Sequence, residues 1–172
     1  LASGRQLIVG TSGGEFIVRA SGFDEPLKPD NTQIKQQTTY GSADIQPMQV
    51  GNATLFLQRA KRKLRELVFS NESDSYVAPD MTILAEHITE GGITAFAYQQ
   101  EPDSVAWTVR TDGVLSCMTY RREEQVVAWH RHIIGGVFGS GNAVVESVAT
   151  IPGDLDEDEV YLIVKRLSLI HI

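Results

Sequence analysis

Cysteine occurs once in these 172 residues, at Cys117, so no internal disulfide framework can form and folding in a reducing compartment fits best. No uncharged apolar run approaches the roughly 18 residues that a membrane-spanning helix needs. Histidine is sparse as well, with four in the whole chain, which narrows any search for a metal or general-base site to a few positions. Positive charge falls short of negative, 15 Lys and Arg against 22 Asp and Glu. The resulting charge of -7 argues against nonspecific nucleic-acid binding, while leaving room for local basic patches.

What remains is 42% hydrophobic and 22% charged, a balance that reads as globular rather than disordered. The length suffices for one ordinary domain, or for part of a larger one. Short apolar stretches rich in Val, Ile, Thr and aromatics dominate, separated by Gly, Asp and Asn turns, which predicts an all-β fold. Residues 7–11 and 15–20 flank Ser12-Gly13-Gly14 as a hairpin, and 53–58 and 64–70 flank the charged tip Arg59–Lys63. Residues 105–110 and 114–120 join through Thr111-Asp112-Gly113, where Asp-Gly is a strong hairpin signal. A second turn, 121–125, leads into a strand over 126–132, and strands over 144–150 and 160–166 follow an equivalent pattern.

Two segments break the β pattern. Residues 22–47 are polar and carry three prolines, which predicts a long surface arm. The stretch DMTILAEHI (80–88) predicts one short helix, with Asp80 as N-cap, Ile83, Leu84 and Ile88 as an apolar stripe, and Gly91-Gly92 just past its end. Strand pairs recur every 40–50 residues or so, the spacing at which propellers repeat small antiparallel sheets. A few such sheets cannot close a ring, so the expected architecture is a partial propeller-like domain over residues 1–166.

The terminal LSLIHI (167–172) is what CTGTCTCTTATACACATC encodes, DNA that resembles the end of a transposon-based sequencing adaptor. The expectation is that 167–172 are an artefact on a metagenomic fragment whose natural protein continues past both ends. His171 is therefore set aside.

Candidate chemistry concentrates in VAWTVRTDGVLSCMTYRREEQVVAWHRH (105–132). Strand alternation places His130 and His132 on one face, with Trp129 and Arg131 on the other, and a His-x-His pair can begin a zinc site. Neither a third nor a fourth ligand is nominated by spacing. Histidines at a sheet rim are the more ordinary outcome of this pattern. Cys117, among Leu115, Met118 and Thr119 and without CxxC or a histidine at ligand spacing, reads as a small buried hydrophobe rather than a nucleophile. GTSGG (10–14) lacks the P-loop pattern and precedes a strand, so it reads as a turn. Arg59, Lys61, Arg62 and Lys63 form the one concentrated basic patch, a solvated tip or a contact with a partner subunit or nucleic acid. The acidic run 154–159 lacks the ligand spacing and glycine of an EF-hand, which favours a solvated loop over a cation site. Trp107 and Trp129 read as packing anchors.

In order along the chain, LIVGTSGGEFIV, TTYGSADIQPMQVGNATLFLQR, KLREL, YVAPDMTILAEHI, the 105–132 meander, VESVATIPG and DEDEVYLIVKR resemble the tail nozzle proteins of short-tailed bacteriophages and prophages. These are also described as tail tubular protein B or phage stabilisation proteins. The resemblance spans about residues 7–166, although family members are several times longer. It implies a non-catalytic, propeller-like virion protein, made in the host cytoplasm and assembled as a ring, hexameric in the better-known members. Such a ring contacts neighbouring tail-tube or adaptor proteins and forms the DNA exit channel or a plug, with DNA passing through without sequence-specific binding. No cofactor and no catalytic residue is implied.

Two other functions stay open on the residues themselves. One is a glycan-recognising or receptor-binding tail module using Trp107, Trp129 and Tyr120 beside carboxylates. The other is a metal-dependent hydrolase using His130 and His132.

Overall fold

Sixteen strands and no helix are found among the described residues of a computed structural model, which describes residues 1–3, 6–22, 25–154 and 156–167. All pairing is antiparallel, as the alternating apolar runs and Gly/Asp turns predict. The chain divides into two units, Leu1–Ile83 and Leu84–Ile172.

In the first unit, β1 (Ala2–Ser3), β2 (Leu7–Thr11), β3 (Gly14–Ala20) and β4 (Thr32–Thr38) form a sheet in chain order. β5 (Met48–Val50), β6 (Ala53–Leu57), β7 (Leu64–Ser70) and β8 (Ser75–Val77) form a second one in the same way. The GTSGG stretch is the tight β2–β3 turn, with Thr11 paired to Gly14. β1 lies against β5 and β4 against β8, so the two meanders stack first strand to first and last to last. Ile8 packs between them on buried Phe56, Leu67 and Ala78. Phe56 and Leu67 each contribute about 1.5–3 kcal/mol on full removal from water.

Three charged residues, Glu15, Arg65 and Glu66, are buried in this unit, and the first two are satisfied by side chains and a carbonyl at hand. Glu15 accepts hydrogen bonds from the hydroxyls of Thr38 and Ser42. Arg65 donates to Gln58 Oε1 (2.8 Å) and to the Ala78 carbonyl (2.6 Å), with its guanidinium 3.5 Å from the centre of the Tyr40 ring.

The polar stretch 22–47 is more ordered than expected, because TQIKQQT within it is β4. It pairs with β3 from Ala20↔Thr32 to Glu15↔Thr38. Its mostly exposed position at the sheet edge lets polar residues occupy both faces, which removes the alternation that marks an ordinary strand.

In the second unit, β9 (Ile93–Gln99), β10 (Val105–Arg110), β11 (Leu115–Arg121) and β12 (Val126–His132) form a third four-stranded meander in chain order. A short hairpin, β13 (Val137–Phe138) and β14 (Gly141–Asn142), precedes a long one, β15 (Val144–Pro152) and β16 (Asp158–Lys165). Val109 and Leu115 meet Val145 and Val148 in a buried core, extended by Trp107, Val160, Leu162 and Val164. The Leu167 amide donates to Val137 O at 2.8 Å. The rest of the suspected adaptor, 168–172, lies outside the described residues.

The expected helix over 80–88 does not form; the segment is a series of turns. Asp80 Oδ1 accepts from the Thr82 amide (2.9 Å) and hydroxyl (2.5 Å), while Oδ2 takes the Lys63 ammonium at 2.9 Å. Burial alone would raise the Asp80 carboxyl's pKa, but these donors outweigh it and leave it lowered. The segment starts tied to β7, with Met81 N donating to Leu64 O at 2.9 Å, and this strand-like start leaves no helical entry. β-Branched Thr82, Ile83, Ile88 and Thr89 add to the helical cost. Of the intended stripe only Ile88 is buried, while Ile83 is 69% and Leu84 93% exposed.

The Asp112-Gly113 turn carries the sharpest backbone requirement. Gly113 sits at φ +78°, and a Cβ there would lie 2.3 Å from Val144 Cγ1 and 3.0 Å from its Cα. Gly51, at φ +57°, has open space around the same position. We expect Gly113→Ala to lower unfolding stability by about 3 kcal/mol, combining left-handed strain with overpacking. Gly51→Ala should cost about 1 kcal/mol, from strain alone. Urea unfolding of both variants checks the pair, and equal losses would contradict the clash with Val144.

Candidate metal centre

Pairing within the third meander brings together side chains that are distant in sequence. β11 and β12 run antiparallel with Cys117 opposite His130 and Leu115 opposite His132. On the other side of β11, Trp107 of β10 pairs with Cys117. Trp107, Cys117 and His130 therefore form one row across three strands, and His132 follows on the same face two residues along β12. The predicted division of β12 holds, since Trp129 pairs with Met118 in the row of opposite orientation.

The donor atoms of Cys117, His130 and His132 all lie within 4.8 Å of one another. Cys117 is fully buried, which is the small hydrophobe's place expected for it. Its thiol lies 3.9 Å from the His130 carbonyl, at the long limit for a sulfur hydrogen bond. Sequence spacing gave Cys117 no histidine neighbour, and the register supplies two. That relation needs the pairing of β11 with β12, which no local spacing encodes.

The two imidazoles differ in surroundings. His132 is half-buried, its ring 5.4 Å from the Trp107 ring and 5.0 Å from that of His130. Its Nε2 is shut off from solvent and has no hydrogen-bond partner among the described residues. His130 is more exposed, and partial burial followed by the neighbouring His132 lowers its pKa, which favours the neutral imidazole. Trp107 is fixed by donating Nε1–H to Gln99 Oε1 at 2.9 Å, so it walls the site as the packing anchor predicted. Two imidazole nitrogens and one sulfur are a donor set for a borderline-soft transition metal.

The remaining candidates sit elsewhere. Arg59, Lys61 and Arg62 are exposed at the β6–β7 tip, whereas Lys63 is engaged by Asp80. Arg59 reaches back to the Ser12 carbonyl at 3.5 Å. In the acidic run, Asp158 accepts the amides of Gln100 (2.6 Å) and Glu101 (3.1 Å), so this carboxylate anchors a loop. Tyr120 is buried within β11, away from the exposed surface that glycan stacking requires. No protein-family model and no curated protein matches this chain.

Burial pushes the Cys117 thiol up to about 12. A raised thiol stays protonated well above its ordinary 9.0, so its contribution to stability is complete below that pH and is lost as pH rises toward 12. Native, metal-free protein should therefore react slowly with iodoacetamide at pH 7 and gain little at pH 9. Unfolding in guanidinium should restore the rate of a free thiol. Rapid native alkylation, timed by intact-mass spectrometry, would contradict the buried placement.

Proposed function

We propose that this chain is part of a tail nozzle or hub protein of a short-tailed phage or prophage, a non-catalytic ring component of the virion around the DNA exit channel. The observation that carries the reading is the repeated unit. Three successive four-stranded meanders follow one another in chain order, each an up-and-down sheet of the kind propellers repeat. In the first unit two of them meet at their first strands and again at their last. Burial in the third is greatest in the middle strands β10 and β11 and falls away at the largely exposed β12. An exposed fourth strand suits the outer edge of a propeller blade. The long hairpin fits the same pattern. Val160, Leu162 and Val164 face the core, while Tyr161 (52% exposed) and Ile163 (63%) form an apolar outward face suited to a further blade.

The proposed role also accounts for the charge. A net -7 suits a conduit that does not grip phosphate. Within a ring, interfaces repeat head to tail, and the exposed Arg59, Lys61 and Arg62 supply a basic tip for an acidic surface on the next subunit. Lys63, held by Asp80, belongs to the fold in this reading.

The natural parent protein should form rings, six-fold by resemblance, in negative-stain microscopy with the adjoining tail protein present. Lys61→Glu with Arg62→Glu should weaken the subunit interface by about 1 kcal/mol, a roughly fivefold loss that diminishes in high salt. Monomers alone at micromolar concentration would contradict the nozzle reading. Rings insensitive to the charge reversal would remove the basic tip from the interface.

A further inference from the structure

We propose that Cys117, His130 and His132 form a binding site for one zinc-like divalent ion, a ligand that the nozzle reading does not call for. Three observations converge on it. The register of β11 and β12 delivers one sulfur and two nitrogens to one sheet face, with all three donors inside 4.8 Å. A tetrahedral zinc with Zn–S near 2.3 Å and Zn–N near 2.0 Å separates its ligand atoms by about 3–4 Å, so modest side-chain rotation closes the set. Further, His132 Nε2 is buried beside Trp107 with no hydrogen-bond partner among the described residues. A metal bond satisfies that atom, which otherwise bears an uncompensated desolvation penalty. Finally, the donor set is selective, because thiolate with imidazole suits zinc and disfavours calcium or magnesium, which take oxygen.

The elements around the site suit loading from one side. Cys117 and the inner edge of His132 are closed off, whereas His130 stands on the exposed edge strand β12 and is the movable member. On binding, the Cys117 thiol releases its proton to solvent and the sulfur bonds to the metal, whose charge compensates the thiolate in the desolvated site. Both imidazoles donate lone pairs. Three protein donors leave a fourth position, on the His130 side, for water. The ion would fasten the edge strand β12 to β11, a cross-strand clip where the sheet otherwise ends.

Cobalt(II) titration of the 172-residue chain under a non-chelating reductant tests this directly, since cobalt reports its ligands in its spectrum. We expect saturation at one equivalent, tetrahedral d–d bands in the visible, a thiolate-to-cobalt charge-transfer band in the near ultraviolet, and loss of both on adding zinc. Cys117→Ser should abolish the charge-transfer band. His130→Ala, an exposed replacement that leaves the core intact, should weaken cobalt binding by about 100-fold or more, at least the effect of losing an outer-shell partner. No tetrahedral spectrum at millimolar cobalt, bands without sulfur charge transfer, or binding unchanged in His130→Ala would each overturn the site. The readout is the metal alone, so it fails or succeeds independently of ring assembly.

Discussion

A four-stranded antiparallel meander has two faces and can bury neither by itself, and the chain's structure follows from how that is solved. In the first unit β1 lies against β5 and β4 against β8, and Ile8 packs on Phe56, Leu67 and Ala78 between the two sheets. In the second, the face bearing Val109 and Leu115 is covered by Val145 and Val148 from the long hairpin. Where that packing is tight, backbone choices lose their freedom: Gly113 touches Val144 closely enough that only hydrogen fits. The buried Glu15 and Arg65 sit inside this stacked arrangement with their polar atoms paired, as low-dielectric positions demand.

The same stacking defines the surroundings of the metal-type donors. Trp107 packs into the core on the face where Cys117, His130 and His132 gather. The cluster therefore belongs to a covered face with one exposed flank. That combination, dry on one side and reachable on the other, sets a buried thiol behind two histidines of the edge strand β12, the rim position expected of them. It also sets it apart from the basic tip and the acidic loop, whose charges are solvated or used in loop hydrogen bonds.

Strands that alternate cleanly were legible in the sequence. β2, β3, β6, β7, β10, β11, β12, β15 and β16 fall close to their predicted places, because each has an apolar face and a turn signal beside it. The short β1, β5 and β8, the polar β4 and the first strand of the third meander, β9, escaped the pattern. Edge strands held largely by main-chain hydrogen bonds place few demands on side chains, so TQIKQQT carries little trace of its conformation. The helix over 80–88 misled through local propensity: Asp80 does bind the Thr82 amide, yet tertiary ties to Leu64 and Lys63 turn the cap into a turn. At the candidate site, the face shared by His130 and His132 was readable from period-two alternation. Cys117 was not, because its relation to His130 exists only across strands.

In the proposed propeller these meanders repeat radially, with β1 and β5 innermost and β4 and β8 at the rim. Cryo-electron microscopy of the assembled parent protein, at a resolution that separates strands, tests it most directly. The account predicts β1 and β5 nearest the propeller axis within a ring of identical subunits. A map with β4 and β8 at that axis, or with the two sheets arranged as a closed sandwich instead of successive blades, would contradict it.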